Sequence, residues 1–366
     1  MKVLYTLKYS YPSTGGTESF IDCLSHEISH KGIDAESYSC SEIRTYSNIK
    51  ILKNKVKIFK QATYFFLKSQ PLNVLFLSLR SKIRKSDIIH HNYPFPTLEL
   101  ALLLNRGLLK RRKLIITWHA NVKNSRWGFI EKYYDKLISK LLIYCDHIVV
   151  TSPALLNNSE ILKNYQEKVK IIPLSCKQIF NLEVAPKHYP VDRNFKLLFV
   201  GKIRDYKGIH VAIESIVGLN VTLTIIGEKM IARDLNEMVA SLGIKNNVTF
   251  INSVSDSELI ELYKSHDLFL FPSVNEAEAF GIVQIEAMSM GMPVINTNLN
   301  SGVPFVSVNE LTGLTVTPFS VLEFRNAITR IINDKVLYET FSKNCIQRSK
   351  EFSIEAMTNA YLELYN

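Results

Sequence analysis

FKLLFVGKIRDYKG at residues 195–208 and LFLFPSVNEAEAFGIVQIEAMSMGMP at residues 268–293 follow one pattern. Each opens on a continuous apolar run, breaks into a short polar loop, and passes into a stretch with helical spacing. A run of Val, Ile, Leu and Phe without alternation belongs to a strand buried on both faces, as in a parallel sheet covered by helices. Repetition of strand, loop and helix predicts a doubly wound α/β fold, with chemistry collected in the loops that follow the strands.

Working outward, the same pattern recurs on both sides of one break. In the first half the predicted strands are Val3–Leu7, Asn73–Leu77, Asp87–His91, Lys113–His119, His147–Thr151 and Val169–Leu174. In the second they are Lys196–Gly201, Val221–Gly227, Asn247–Ile251, Leu268–Pro272 and Pro293–Asn296. Between them Ser175 to Asn194 is polar and irregular, with Pro186 and Pro190. The reading is two Rossmann-like domains, 1–178 and 195–350, joined by a linker at 179–194 and followed by a terminal helix at 351–366. Two such domains facing one another are expected to form a cleft at the carboxyl ends of their strands.

A length of 366 residues suits two such cores, and 46% hydrophobic with 21% charged residues is the composition of a folded globular chain. No apolar stretch reaches the ~18 residues a membrane-spanning helix needs. The N-terminal apolar run is too short for a signal peptide. Five widely spaced cysteines suit neither a disulfide framework nor a zinc site, so a reducing cytoplasm is expected.

The net charge of +10 is unevenly placed. Ile43 to Ser86 holds eleven basic residues and no acid, and extension to Ile130 gives eighteen basic against two acidic residues. Tyr46, Phe59, Tyr64, Phe65, Phe66 and Phe76 lie among those charges. Such a mixture can rest on an anionic membrane surface; the plainer reading is a solvated lysine-rich face on helices. Nucleic acid is not expected, because no helix-turn-helix, zinc-finger or RNA-binding signature accompanies the charge.

Three post-strand loops carry candidate chemistry. After Val3–Leu7, Gly15 and Gly16 precede a helix from about Thr17 to His30, where backbone amides can approach an anion. The full G-x-G-x-x-G fingerprint is absent, which argues against a dehydrogenase. After Lys196–Gly201, the loop 201–208 concentrates Lys202, Arg204 and Lys207, cations suited to a leaving diphosphate. After Leu268–Pro272, an acidic loop with Glu276 and Glu278 enters a helix near Gly281 that carries Glu286. Two carboxylates eight residues apart can accept hydrogen bonds from sugar hydroxyls, while the free amides of the helix start hold phosphate.

FVGKIRDYKGIHVAIESI, EAFGIVQIEAMSMGMPVINT and TGLTVTP, in this order and spacing, resemble retaining glycosyltransferase family 4, a GT-B-fold family. GGTESFIDCLSHEISHKG, KLIITWHANV and FSIEAMTNAYLELY extend the resemblance across nearly the whole chain. It implies roles by position. Lys202 and Lys207 would bind the donor diphosphate, with Gly16 approaching the phosphates or the acceptor. Glu286 would hold the ribose. Glu278 and Ala279 would contact the transferred sugar. Phe280, Gly281 and Ile282 would offer backbone contacts to sugar and phosphate. His119 would lie near the sugar, and Ile251 and Val254 beside the nucleobase. The segments GEKM and FINSV depart from the family there, and Asn92 stands where relatives often carry histidine.

No Asp-x-Asp and no His/Asp cluster of metal-ligand spacing occurs in the sequence, so no metal or other cofactor is expected beyond the nucleotide-sugar donor. The expected activity is transfer of a hexose, mannose from GDP-mannose first, to a lipid-linked oligosaccharide in lipopolysaccharide O-antigen or capsule assembly. The place would be peripheral, on the cytoplasmic face of the membrane. UDP-hexose transfer, a sugar-nucleotide epimerase of the same fold and a non-catalytic sugar-nucleotide binder are the alternatives.

Overall fold

Apolar runs too continuous for a half-exposed sheet need cover on two sides, and the structure provides it twice. In the computed structural model the described residues are all of 1–366 except 14, 68–69, 74–76, 122–130, 181 and 228–231. They divide into two units, Met1–Leu174 with Ile354–Asn366, and Ser175–Ser353.

The described strands of the first unit are β1 (Lys2–Thr6), β2 (Asp34–Cys40), β3 (Ile49–Lys53), β4 (Val56–Gln61), β5 (Phe65–Leu67), β6 (Gln70–Leu72), β7 (Ile88–Tyr93), β8 (Lys113–Trp118), β9 (His147–Val150) and β10 (Val169–Ile171). Eight of them make one sheet in the order β10-β9-β8-β7-β1-β2-β4-β3, parallel except for the antiparallel β3–β4 edge. β5 and β6 form a separate antiparallel ribbon.

The basic stretch thus folds as strands rather than as helices alone. The strand expected at Asn73–Leu77 falls largely outside the described residues, and Leu77 opens a helix, Leu77–Arg84. β2 was not anticipated: DAESYSC has no apolar run, yet all but its first residue is buried. Its polar side chains find partners there. Glu36 is bonded by Lys2 at 2.6 Å and by Lys82, and Ser39 Oγ meets Ser10 Oγ at 2.6 Å.

The second unit is built from β11 (Phe195–Val200), β12 (Val221–Ile226), β13 (Val248–Ile251), β14 (Leu268–Leu270), β15 (Val294–Thr297) and β16 (Gly313–Val316). All neighbours run parallel, in the order β13-β12-β11-β14-β15-β16. The chain winds outward from β11 to β13, then returns to the other side of β11 and winds the opposite way. The reversal therefore falls between β11 and β14, the place at which open α/β sheets bind their ligands. Fully buried Leu197, Phe199, Leu223, Leu270 and Ile295 fill the core beneath it, each worth about 1.5–3 kcal/mol of burial.

Residues 179–194 were read as a linker, but part of that segment is fastened to the second unit. The Lys187 amide donates to Ser342 Oγ at 2.7 Å, and the Tyr189 hydroxyl donates to the Ile332 carbonyl at 2.5 Å. The division falls at Leu174 and Ser175. The terminal helix, Ile354–Tyr365, belongs to the first unit. Tyr361 donates to Thr117 Oγ1 at 2.9 Å, and Thr117 to His90 Nε2 at 2.7 Å. His90 Nδ1 meets the Tyr365 hydroxyl at 2.7 Å, which in turn donates to Tyr5 at 3.2 Å. Among the described residues no helix is long and apolar enough to cross a membrane.

Candidate functional site

The strand reversal of the second unit brings two sequence motifs into contact. Lys207 arrives on the loop after β11, in a short 3-10 turn, Asp205–Lys207, that ends at Gly208. Gly208 has φ +63°, and a Cβ there would come within 2.0 Å of the Pro272 carbonyl oxygen, so only glycine lets the two loops approach this closely. Glu278 arrives on the loop after β14. Lys207 Nζ forms an ion pair with Glu278 Oε2, both residues buried, and Ser273 Oγ donates to the same oxygen at 3.2 Å. The ammonium also lies over the Phe271 ring, 5.1 Å from its centroid. A buried ion pair between loops is costly to form and costlier to break by removing one partner. Here it holds a cation and a carboxylate together at the strand reversal.

Three residues further on, Gly281 caps the helix Ile282–Ser289 with φ +81°. A Cβ would lie 2.7 Å from Phe271 Cζ, so this glycine is fixed by packing as well as by its dihedral. The first intrahelical bond is Gln284 N–H to the Gly281 carbonyl at 2.9 Å, which leaves the amides of Ile282 and Val283 directed out of the helix start. The Phe280 ring is buried against Phe305 and Phe352, 6.5 and 6.2 Å between centroids, which leaves only its backbone for the contacts expected of it. The Ala279 carbonyl is already taken by the Gly302 amide at 2.8 Å.

Glu286, on the same helix, is buried and accepts from the Tyr263 hydroxyl at 2.9 Å. Burial pushes its carboxyl up to about 7, and the Tyr263 bond and the neighbouring Lys177 only partly offset that. Lys177 is itself paired with Asp256 at 2.6 Å, at the start of the helix Asp256–Ser265 that carries Tyr263. Ile251, the last residue of β13, and Val254 in the loop before that helix are half-buried. The GEKM segment lies, except for Gly227, outside the described residues. Lys202, grouped with Lys207 in the sequence, is exposed and makes no ion pair among the described residues.

The first unit holds the other candidates. His119 directly follows β8, and its amide donates to the Tyr93 carbonyl at 3.1 Å. Its ring Nε2–H donates to Asn92 Oδ1 at 2.9 Å, and Phe20 stands edge-on at 5.3 Å. Asn92 Nδ2 donates to the Thr6 carbonyl at 3.3 Å, which fixes the amide with its oxygen toward His119. Burial, reinforced by nearby His91, pushes the His119 imidazole down to about 3. The ring is therefore neutral near pH 7 with its proton on Nε2, and Nδ1 keeps a lone pair. Beneath it His91 Nε2 lies 3.1 Å from Glu99 Oε1, which also accepts the Phe95 amide at 2.8 Å, while Tyr134 donates to the other oxygen.

Gly16 opens the helix Gly16–His30, and a Cβ there would meet nothing within 4 Å. Packing within the chain does not require a glycine at this position. Val122 of the TWHANV motif lies outside the described residues. Tyr263, Ser273 and the His91–Glu99 pair escaped the sequence reading. None sits at a motif position, and only tertiary contact reveals them.

The chain is similar in sequence and fold to known proteins. Residues 14–175 match the family model described as Glycosyltransferase Family 4, and residues 183–350 match Glycosyl transferases group 1. The chain is 28% identical to the O-antigen chain mannosyltransferase C of Escherichia coli, over 100% of this chain and 98% of that one. It is 27% identical to D-rhamnosyltransferase WbpZ of Pseudomonas aeruginosa, over 96% and 92%. Its structure superposes on that of HepE from Anabaena in complex with UDP over 99% of each chain, with a TM-score of 0.78 at 18% identity. The protein is a glycosyltransferase of the GT-B fold. Its first half belongs to Glycosyltransferase Family 4 and its second half to Glycosyl transferases group 1.

Proposed function

We propose that this chain is a retaining, metal-independent hexosyltransferase that moves mannose from GDP-mannose to a lipid-linked oligosaccharide in bacterial surface polysaccharide synthesis. It would work at the cytoplasmic face of an anionic membrane. The observation that carries the reading is the Lys207–Glu278 pair at the strand reversal beside a glycine-capped helix start. That arrangement gives a leaving diphosphate a cation and free amides, and gives the sugar a carboxylate. The choice of mannose and of a surface polysaccharide is supported by the full-length similarity to the E. coli O-antigen enzyme.

In the proposed reaction the bond from the sugar C1 to the diphosphate oxygen breaks, and its electron pair stays on the diphosphate, next to Lys207 and the amides of Ile282 and Val283. The acceptor hydroxyl attacks C1 from the same face, and its proton passes to the departing phosphate oxygen. Glu278 and Ala279 contact the sugar, and His119 Nδ1 accepts from a sugar hydroxyl. Glu286 holds the ribose, and Ile251 and Val254 flank the base. Lys202 and Gly16 attend the phosphates. Unlike a retaining glycosidase's second carboxylate, Glu278 forms no bond to the sugar.

The test is a donor panel, GDP-mannose against UDP-galactose, UDP-glucose and UDP-N-acetylhexosamine, read by thermal shift and slow donor hydrolysis with a chelator present. GDP-mannose alone should raise the melting temperature and be hydrolysed. An epimerised nucleotide sugar as product, or loss of binding on chelation, would overturn the reading.

A further inference from the structure

The ribbon β5–β6 leaves three consecutive large apolar side chains in solvent. Phe65, Phe66 and Leu67 are 56%, 38% and 53% exposed. Successive strand residues point to opposite faces, so exposure of all three leaves apolar surface open on both faces of β5, although Pro71 beside Phe66 is buried. Two strands alone are marginal in water, and a contiguous apolar surface on a soluble chain marks a contact site.

The ribbon is continuous with a second exposed segment. The Thr45 amide donates to the Thr63 carbonyl at 2.8 Å, and Tyr46 and Tyr64 face each other with centroids 6.0 Å apart. This places Ile43, Arg44 and Tyr46 beside the ribbon, with Ile43 and Tyr46 about 70% exposed and the Arg44 guanidinium 5.5 Å from the Tyr46 centroid.

Charge decides what this surface fits. Four lysines of the basic stretch are answered by carboxylates from the same unit: Lys53 by Asp22, Lys57 by Asp34, Lys60 by Glu42 and Lys82 by Glu36. Arg44, and Lys50 opposite Phe59 toward the carboxyl end of β4, are exposed with no carboxylate in ion-pair range among the described residues. The patch therefore joins bare aromatic and aliphatic side chains to unneutralised cations, the composition that seats in the headgroup layer of an anionic bilayer. Its position agrees. Ile43 to Tyr46 follows the carboxyl end of β2, and Tyr64 follows the carboxyl end of β4. That is the edge of the sheet where β1 and β8 deliver Gly16 and His119, and where such folds present their ligand loops.

We infer that the β5–β6 ribbon, with Ile43, Arg44 and Tyr46, is the element by which this unit enters an anionic membrane, bringing a lipid-linked acceptor to its carboxyl edge. This rests on the proposed function for the acceptor alone; the docking surface stands on the exposed side chains and their charge.

The experiment is co-sedimentation of the full chain with phosphatidylglycerol–phosphatidylethanolamine vesicles and with pure phosphatidylcholine vesicles, at low and high salt. Association with the anionic vesicles is expected, weakened by salt, and a loss of about tenfold or more in Phe65→Ser/Phe66→Ser/Leu67→Ser. Arg44→Glu/Lys50→Glu should also weaken binding, with a shallower salt dependence. A tryptophan introduced as Phe66→Trp should be quenched by brominated lipid. Wild-type indifference to anionic vesicles, or a triple variant that binds like wild type, would overturn the inference. So would a wild-type dimer in sedimentation velocity that the triple variant dissolves, which would assign the patch to a second copy. Donor hydrolysis without vesicles is measured in parallel. Its absence beside ribbon-dependent binding would support the docking surface and count against the transfer reading alone.

Discussion

Asn92 Oδ1 accepts the Nε2 proton of His119 at 2.9 Å, while its own Nδ2 is held by the Thr6 carbonyl. One amide thereby sets both the tautomer and the orientation of the imidazole. Asn92→Ala should free the ring and lower donor turnover by about tenfold, the worth of one well-placed hydrogen bond. Nitrogen NMR of the His119 ring should show the Nε2–H tautomer in the wild type and a mixture in the variant. Because the imidazole is pushed down to about 3, its signal should not titrate between pH 5 and 9.

Lys207 and Glu278 should respond asymmetrically to substitution. Lys207→Ala leaves a buried carboxylate without its cation and should cost about 3–5 kcal/mol of stability. Lys207→Ala/Glu278→Ala removes both charges and should recover part of that loss, which a double-mutant cycle by denaturant unfolding would measure. Glu278→Gln keeps an oxygen for the Lys207 ammonium but removes its counter-charge, so it should lose some stability, still bind nucleotide, and lose about 100-fold or more in donor hydrolysis. A Glu278→Gln enzyme of wild-type rate would remove the carboxylate from the mechanism.

Glu286 should make folding depend on pH and, under the proposed function, donor binding as well. Its folded value, about 7, lies above the 4.5 of an ordinary glutamate. The resulting stabilisation is complete below about 4.5, where both states are protonated, and is lost as pH rises through 7. Glu286→Gln should therefore flatten the stability profile across that window and gain on the wild type at pH 8. Donor affinity should run the other way. Ribose hydroxyls donate better to the ionised carboxylate, so affinity should rise from pH 6 to 8 in the wild type and stay level in Glu286→Gln. Calorimetric titration at several pH values checks both directions.

Two glycines of the candidate site predict opposite phenotypes. Gly281→Ala places a Cβ at φ +81° against the Phe271 ring and should cost roughly 1–3 kcal/mol or more of stability. Gly16→Ala meets open space and should leave the unfolding midpoint unchanged. Under the proposed function it should still lower donor turnover, because the methyl group occupies the ligand's approach. Unchanged turnover would release Gly16 from the phosphate role.

What could be read in the sequence follows from how each element is stabilised. β11, β12 and β14 announce themselves because their burial is written as apolar side chains. β2 does not: Glu36 and Ser39 are buried because other parts of the unit answer them, and a linear pattern cannot carry that information. The same holds at the site. Glu278, Gly281 and Glu286 lie on one local strand-loop-helix stretch and could be seen together. Tyr263 beside Glu286, and Thr6 behind Asn92, are set by sheet order and tertiary packing. Lys202 and Lys207 look equivalent in the loop 201–208, but only Lys207 is turned inward onto Glu278.

The terminal helix bears on how the chain is made. Tyr361 and Tyr365 complete the hydrogen bonds of Thr117, His90 and Tyr5 in the first unit. A ribosome releases Met1 to Leu174 before, and Ile354 to Asn366 after, all of Ser175 to Ser353. The first unit to emerge is thus the last to close, while the second can fold as an uninterrupted block. Until this helix has emerged, the surface awaiting Tyr361 and Tyr365 is a natural one for chaperones, and a nascent chain stalled short of Tyr361 would present the same surface to quality control.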